Sequence, residues 1–181
     1  MTAPIRWPAE AVWEAVAPLL PGFTVEVLPS IDSTNTELMR RARAGQTEPT
    51  LLVAEQQTAG RGRLGRVWQS DVGASLMLSL GLPMAPRDWS GLSLAVGVSV
   101  AESLQPTLPP LEPGQPPRIG LKWPNDLWLS GDRKLGGILV ETASFVAPQA
   151  AHPTTAQGTA ARYVVVGIGI NVLPRSAEGM S

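Results

Sequence analysis

Residues 60–68, GRGRLGRVW, form the stretch of this sequence that decides how the rest is interpreted. Three arginines and three glycines alternate there, after the apolar run TLLVA at residues 50–54, which predicts a short buried strand. Glycines let the backbone approach a ligand closely and expose its N–H groups. Arginines supply forked donors that fit phosphate or carboxylate oxygens, and Trp68 offers a flat face for stacking a base. The stretch therefore predicts a loop that holds the phosphates of a nucleotide.

Three other interpretations of residues 60–68 compete with this one. One is a solvated loop with accidental charge, and another is an RNA-binding patch, since Arg-Gly repeats bind RNA. The net charge of −1 and the lack of a second basic cluster in the sequence disfavour RNA. The third is the dinucleotide fingerprint, whose glycine spacing this stretch matches. That fingerprint needs a helix to open at its end, whereas here the chain runs through residues 68–71 into another predicted strand.

Working outward, the periodicity of apolar residues predicts helices and strands of a mixed α/β (α+β) fold. The predicted helices cover residues 9–20, 32–44 and 89–104, the last of them well buried. Thr34 and Glu37 have capping-box spacing, and Gly45 follows as a stop. We expect a mixed, mostly antiparallel sheet with helices on one face. The predicted strands cover residues 23–28, 50–54, 75–82, 119–123, 127–129, 135–142 and 163–172.

Two further stretches predict surface loops inside one domain spanning residues 1–181. Residues 106–118 are rich in proline, and residues 146–161 are rich in alanine, proline, threonine and glutamine. Both join predicted strands or helices, so we interpret them as insertions. Residues 131–132, Gly-Asp, suit a tight hairpin turn between two strands.

Four more stretches could carry chemistry. In KLGG at residues 134–137, a lysine before a glycine pair can reach a ligand that the glycines admit. In KWPND at residues 122–126, Asp126 suits a magnesium ion carried by ATP. The alternative for the two motifs is surface lysines and an ordinary turn. GIGIN at residues 167–171 indicates close approach of a ligand or, equally, a β-bulge. STN at residues 33–35 is a helix cap that could also present polar groups to a ligand.

Composition excludes several classes of site. The chain has no cysteine and one histidine, His152, in a low-complexity stretch. Thiolate chemistry is therefore absent, and a histidine-based metal site or catalytic triad is nearly excluded. No apolar run approaches the roughly 18–20 residues needed to cross a membrane, and the N-terminus is not of signal-peptide type. We expect a soluble cytoplasmic protein.

Taken together and in order, these motifs resemble the signature of biotin protein ligases, also called biotin–[acetyl-CoA-carboxylase] ligases. The resemblance covers residues 30–173 apart from the two insertions, and includes EQQ at residues 55–57. It implies a fold related to class II aminoacyl-tRNA synthetases and lipoate ligases. It also implies a two-step reaction in which biotin and MgATP give biotinyl-5′-AMP, and biotin then moves to a lysine of a biotin carboxyl carrier protein.

The resemblance also implies roles for individual residues. Asp126 would be a magnesium ligand, and Lys134, Arg61 and Arg63 would be catalytic. The residues expected at the nucleotide are Arg63, Arg66, Trp68, Lys122 and Asn171. The residues expected at biotin are Ser33, Thr34, Asn35, Gln57, Arg61, Gly62, Arg63, Lys134, Gly137 and Gly167. Gly167 and Gly169 would make room for the nucleotide.

The same resemblance sets expectations about the whole protein. Only residues 1–32 precede the first motif, so a DNA-binding domain and repressor activity are not expected, nor is a membrane partner. The small C-terminal β-barrel domain of the family is expected to be absent or truncated. Homodimerisation is common in the family, but the sequence carries no surface signal for it.

Two alternatives stay open at the level of the sequence. The first is a lipoate or octanoate ligase on the same fold; octanoyl transferases of this fold use a cysteine or lysine nucleophile, and cysteine is absent here. The second is a non-catalytic module that binds biotin or nucleotide.

Overall fold

A computed structural model describes residues 5–69, 71–109, 111–130, 132–144 and 161–173. Within these residues lie three α-helices, α1 (Ala9–Val16), α2 (Thr34–Arg43) and α3 (Leu92–Leu104). Short 3₁₀ turns cover Arg63–Gly65 and Gln105–Thr107. The strands are β1 (Thr24–Leu28), β2 (Thr50–Ala54), β3 (Ser75–Met84), β4 (Ile119–Lys122), β5 (Asp126–Leu129), β6 (Arg133–Ser144) and β7 (Arg162–Asn171).

The strands form one seven-stranded sheet in the order β1-β2-β3-β7-β6-β5-β4. β1 and β2 are parallel, and the other neighbouring pairs are antiparallel. The mixed α/β class and the mostly antiparallel sheet are thus confirmed. β7 lies at the centre, where it pairs with β3 along its whole length and with β6 along most of it. The glycines near its end therefore lie in the middle of the sheet.

Helices cover both faces of this sheet, so the prediction of helices on one face is wrong. Tyr163 and Val165 of β7 pack with the buried side of α2. Val164 and Val166, which point the other way, pack with Leu92 and Val96 of α3. Successive side chains of a strand point to opposite faces. Because the run in β7 is apolar on both faces, each face needs a cover.

α2 covers residues 34–43 of the predicted 32–44, and its N-cap lies one residue before the one that the capping-box spacing predicted. Ser33 is the N-cap, with extended backbone, and its side chain accepts a hydrogen bond from the N–H of Thr36. Thr34 lies inside the first turn, and Glu37 binds Arg41 rather than the helix start. Because two adjacent residues could both cap, the spacing to Glu37 selected the wrong one.

α1 and α3 are both shorter than predicted, and α3 is not well buried. α1 ends at Val16 and α3 begins at Leu92, after the left-handed Gly91. Gly97 is the only buried residue of α3, and Val98 is 44% exposed. The helix packs on the sheet by one side, so the rest of its apolar surface faces outward.

The remaining loop predictions have mixed outcomes. β5 and β6 form the predicted hairpin, with Asp132 in the left-handed region, while Gly131 lies outside the described residues. Residues 106–118 contain one 3₁₀ turn and otherwise irregular backbone where they are described. Of the second insertion, residues 146–160 lie outside the described part. Among the residues whose structure is described, no helix is long and apolar enough to cross a membrane.

Candidate functional site

Residues 60–68, called here the arginine–glycine loop, fold back on themselves as a narrow antiparallel turn. The N–H of Gly62 donates to the C=O of Arg66 at 2.7 Å, and the N–H of Trp68 donates to the C=O of Gly60 at 2.9 Å. Leu64 at the tip has a positive φ of 57°, and its side chain is 89% exposed. A side chain at Gly60 would collide with the backbone of Trp68, which explains that glycine. The loop is confirmed, and its backbone bonds give it a defined shape.

The arginine–glycine loop covers a cavity between the start of α2 and strands β3, β5, β6 and β7. The structure brings together there all the predicted site residues except Lys122 and Asn171. Lys122 instead places its ammonium group 3.9 Å from the centre of the Trp128 ring. Asn171 donates to the C=O of Lys134 at 3.3 Å. The residues that line the cavity among those predicted are Ser33, Thr34, Asn35, Gln57, Arg61, Gly62, Arg63, Arg66, Trp68, Asp126, Lys134, Gly137 and Gly167.

The inner end of the cavity is a buried polar floor, made of Ser33, Thr34, Asn35 and Gln57, with Ser79 buried behind Thr34 and Asn35. Gln57 Oε1 accepts from the N–H of Thr34 at 2.7 Å. Ser79 Oγ, fully buried, lies 2.7 Å from Thr34 Oγ1 and 2.6 Å from Asn35 Oδ1. Ser33, Thr34 and Asn35 are each less than 5% exposed. Thr34, Asn35, Gln57 and Ser79 thus form a connected network of hydroxyl and amide groups.

Counting protons fixes the direction of this network. Asn35 Nδ2 faces two acceptors, Leu139 C=O at 3.3 Å and Glu141 Oε2 at 3.0 Å, so Asn35 Oδ1 is the atom that faces Ser79. An amide oxygen only accepts and a hydroxyl carries one proton. Ser79 therefore donates to Asn35, and Thr34 divides its one hydroxyl proton between Ser79 Oγ and Gln57 Oε1, which is 3.1 Å away.

Positive charge gathers at the outer end of the cavity. Arg61, Arg63 and Arg66 of the arginine–glycine loop face Lys134 of β6 across it. Lys134 Nζ lies 2.8 Å from Asp126 Oδ2, and Arg63 donates to Asn125 Oδ1 at 3.3 Å. Arginine and lysine donors at one end and a neutral polar floor at the other suit an elongated ligand with one anionic end.

Trp68 lies against two glycines of neighbouring strands. Gly137 of β6 is paired with Gly169 of β7. A Cβ added at Gly169 would lie 2.6 Å from the Trp68 indole, and one at Gly137 would lie 3.5 Å from it. Gly167 likewise makes room for the Asn35 side chain. The glycines of residues 167–171 thus accommodate side chains of the site. The pairing of β7 is continuous on both sides, so the bulge alternative is excluded.

The residue predicted as a magnesium ligand, Asp126, lies in the cavity. Within the described residues no three His, Cys, Asp or Glu side chains come together as a metal site. Asp126 lines the cavity beside Lys134. Magnesium bound with ATP usually takes one or two carboxylates, several waters and the phosphates. The single carboxylate of Asp126 is compatible with that donor set.

Sequence reasoning missed Ser79 and Glu141. Ser79 lies on the same face of β3 as the buried Met77, and that alternation was the available signal. Glu141 sits in an otherwise apolar part of β6 and pairs with Arg61, with 3.0 Å between Oε1 and Nη2. Asn125 was part of a quoted motif but was given no role. Its partner Arg63 is 62 positions away in sequence.

Comparison with known proteins places the chain among ligases. Residues 27–171 match the model of the biotin/lipoate A/B protein ligase family. The chain is 38% identical over 160 residues to the biotin–[acetyl-CoA-carboxylase] ligase of Mycobacterium tuberculosis (strain ATCC 25618 / H37Rv), covering 85% of this chain and 51% of that protein. It is 42% identical over 161 residues to the bifunctional ligase/repressor BirA of Escherichia coli (strain K12), covering 88% and 44%. The chain thus spans about half the length of these curated relatives.

Solved structures show the same fold. The biotin acetyl coenzyme A carboxylase synthetase of Helicobacter pylori, crystallised with biotinylated ATP, has a TM-score of 0.59 and 29% identity, over 87% of this chain and 63% of that chain. A biotin protein ligase of Aquifex aeolicus in complex with biotin and ATP has a TM-score of 0.57 and 31% identity, over 84% and 53%.

Proposed function

The chain belongs to the biotin/lipoate A/B protein ligase family, and on that premise we propose that it joins biotin to ATP and then transfers biotin to a lysine of a biotin carboxyl carrier protein. Several relatives named as biotin ligases support this choice within the family. Structures of two related enzymes hold biotinylated ATP, or biotin and ATP. The observation that carries the proposal is one cavity with both a neutral polar floor and a cationic rim.

In the first step, a carboxylate oxygen of biotin attacks the α-phosphorus of ATP. The new O–P bond gives biotinyl-5′-AMP, and the bond from that phosphorus to the pyrophosphate oxygen breaks. Two anions must meet, so catalysis depends on positioning and fixed positive charge. Arg63, Arg66 and Lys134 supply that charge, and no nucleophilic side chain is needed. Magnesium bound by the phosphates and Asp126 would screen the charge of the leaving pyrophosphate.

The polar floor holds the other end of biotin. Its ureido ring carries N–H donors and a carbonyl acceptor, and the hydroxyl and amide groups of Ser33, Thr34, Asn35 and Gln57 complement both. Trp68 lies beside the adenine. A ligand with an apolar head would make no hydrogen bonds to these groups and would lose that contribution to its affinity. The floor therefore favours biotin over lipoate or octanoate.

In the second step, the uncharged amine of the acceptor lysine attacks the acyl carbon of biotinyl-5′-AMP. An amide bond forms, the C–O bond to AMP breaks, and the amine loses a proton to solvent. Lys134 neutralises the AMP phosphate as it leaves. The arginine–glycine loop, which covers the cavity, keeps water from the acyl-adenylate until the lysine arrives.

The test is incubation of the chain with biotin, MgATP and a biotin carboxyl carrier domain. We expect pyrophosphate release and, by mass spectrometry, one biotinyl group on the carrier. Lys134→Ala is expected to lose at least about tenfold in rate, since charge-assisted contacts are worth ~1.5–3 kcal/mol, while calorimetry still detects biotin. Biotin binding without pyrophosphate release would indicate the binding module instead. Lipoate or octanoate outcompeting biotin would indicate the rival ligase.

A further inference from the structure

One carboxylate links the arginine–glycine loop to the polar floor. Glu141 Oε1 lies 3.0 Å from Arg61 Nη2, and its Oε2 accepts from Arg61 Nη1 at 3.4 Å. The same Oε2 accepts from Asn35 Nδ2 at 3.0 Å. We propose that Glu141 is a positioning residue that holds the loop closed over biotin, an inference that rests on the proposed function.

The surroundings of Glu141 explain why this carboxylate is held firmly. It lies on β6 opposite Val165 of β7, on the face that α2 covers, and its side chain is 21% exposed. A carboxylate so far removed from water needs partners. Arg61 and Asn35 fill that need, and they come from the loop and from the start of α2. A displacement of either partner weakens the position of the other.

This arrangement separates the arginines of the loop by role. Arg61 directs its guanidinium to a protein carboxylate. Among the described residues, Arg63 and Arg66 form no ion pair with an acidic side chain, and Arg63 touches a neutral amide oxygen. Arg63 and Arg66 therefore keep their charge for the phosphate and carboxylate, and Arg61 fixes the loop that carries them. Biotin bound on the polar floor would fix the Asn35 side chain. Asn35 donates a hydrogen bond to Glu141, and Glu141 forms the ion pair that fixes Arg61.

The test is a double-mutant cycle with Glu141→Gln and Arg61→Gln, read by biotin calorimetry and by hydrogen exchange of residues 60–68. The substitution Glu141→Gln removes the negative charge but still offers Asn35 an acceptor oxygen, so it isolates the effect of the charge. We expect each single variant to raise the biotin Kd by about three- to tenfold, the range of a half-exposed charged pair. The double variant is expected to match the singles, and exchange at Gly62 and Trp68 is expected to quicken in all three.

The matched control is Glu26→Gln. Glu26 on β1 pairs with Arg41 of α2 at 2.6 Å, away from the cavity. Its loss is expected to change neither the biotin Kd nor the exchange of residues 60–68. Arg61→Gln, at a side chain 48% exposed, removes the pair without touching the sheet. If Glu141→Gln folds poorly, Arg61→Gln alone still tests whether the pair affects the biotin Kd and the exchange of residues 60–68.

The outcomes separate the two proposals. If wild-type chain binds no biotin, the proposed function fails, while hydrogen exchange of the empty arginine–glycine loop in the variants still tests whether Glu141 holds that loop. If the wild type binds biotin and Glu141→Gln keeps its Kd and loop exchange, the positioning role is overturned. Additive effects of the two substitutions would overturn it as well, because independent residues add.

Discussion

At the scale of single residues, the glycines of β7 determine the shape of the candidate site. In the sequence, Gly167 and Gly169 predicted a close approach to the sheet, because glycine weakens a strand and often marks such a contact. In the structure the close approach comes from Asn35 and Trp68. The ligand cavity exists because these two side chains can lie directly on the sheet. A methyl group at Gly167 or Gly169 would displace Asn35 or Trp68 without removing any polar or charged group of the site.

Gly167→Ala tests this packing. The added Cβ would overlap the Asn35 amide and push it away from Ser79 and Glu141. We expect the free energy of unfolding to fall by about 1–3 kcal/mol, as for other overpacked sites, and the biotin Kd to rise at least tenfold. Urea unfolding and calorimetry measure the two effects. Gly120→Ala is the control, since a Cβ there meets nothing within 4 Å; equal behaviour of the two variants would contradict the argument.

Ser79→Ala tests the buried proton chain. The hydroxyl has no access to water and serves both Thr34 and Asn35. Its loss leaves buried polar groups unsatisfied, at a cost of about 1–3 kcal/mol in the free energy of unfolding. We also expect weaker biotin binding, because Asn35 is no longer oriented. Ser103→Ala, at an exposed hydroxyl on α3, is expected to stay within about 0.5 kcal/mol of wild type; a Ser79→Ala that did the same would show that the network adds nothing.

At the scale of elements, the pattern of apolar residues predicted every described strand within a few residues, whereas the prediction of the helix cap failed because two signals competed. β2 was predicted with its observed bounds. The start of α2 was misplaced because Ser33 and Thr34 can both cap. Ser79 and Glu141 were missed because their partners lie 44 and 80 positions away. Local patterns contain no information about such contacts. Local patterns predicted the arginine–glycine loop and its charges, whereas only the fold shows which side chains those charges contact.

α2 is terminated by a glycine, Gly45, whose backbone conformation suits few other residues. Gly45 has φ +85°, its N–H donates to Ala42, and the N–H of Gln46 donates to Arg41, so the helix ends in a Schellman motif. Gly45→Ala forces a side chain into the left-handed region and is expected to lower the free energy of unfolding by about 1–2 kcal/mol. Gly45→Asn should cost less, because asparagine tolerates that conformation. Urea unfolding compares them.

This substitution should leave ligand binding alone. Gly45 follows the end of the ten-residue α2, about 15 Å from the end that forms the polar floor. A Gly45→Ala chain that bound biotin much more weakly than wild type would mean that the two ends of α2 are coupled. An unchanged biotin Kd with a lowered unfolding midpoint is the expected result.

At the scale of the whole molecule, the sheet order and the two covered faces lay beyond sequence reasoning. The run in β7 predicted a buried strand, but such a run does not identify the elements that cover it. The pairing of β7 with β3 joins segments far apart in the chain. The candidate site therefore lies on the α2 face of the sheet, while the α3 face contributes apolar packing. Stability and ligand binding can therefore be perturbed separately.

Tyr163 allows the stability of this assembly to be followed by pH. It is the only tyrosine in the chain, it is 1% exposed, and it packs with α2 in the core. Burial raises the pKa of Tyr163 to about 12, with smaller opposing effects of Arg41 and Glu48. In the unfolded chain the phenol ionises near its ordinary value of about 10. Its contribution is therefore complete below about pH 10 and is lost as the pH rises towards 12.

We expect the free energy of unfolding to fall by up to about 1.4 kcal/mol per pH unit in that window from this group alone. Urea unfolding between pH 9 and about 11.5 measures the slope, and absorbance of the phenolate follows the same single group. Other groups titrate in this range, so Tyr163→Phe is the reference: it removes the phenol and keeps the ring. The wild type should lose stability more steeply than Tyr163→Phe. Parallel slopes would mean that the phenol reaches water in the folded protein, and hence that the core between α2 and β7 is open there.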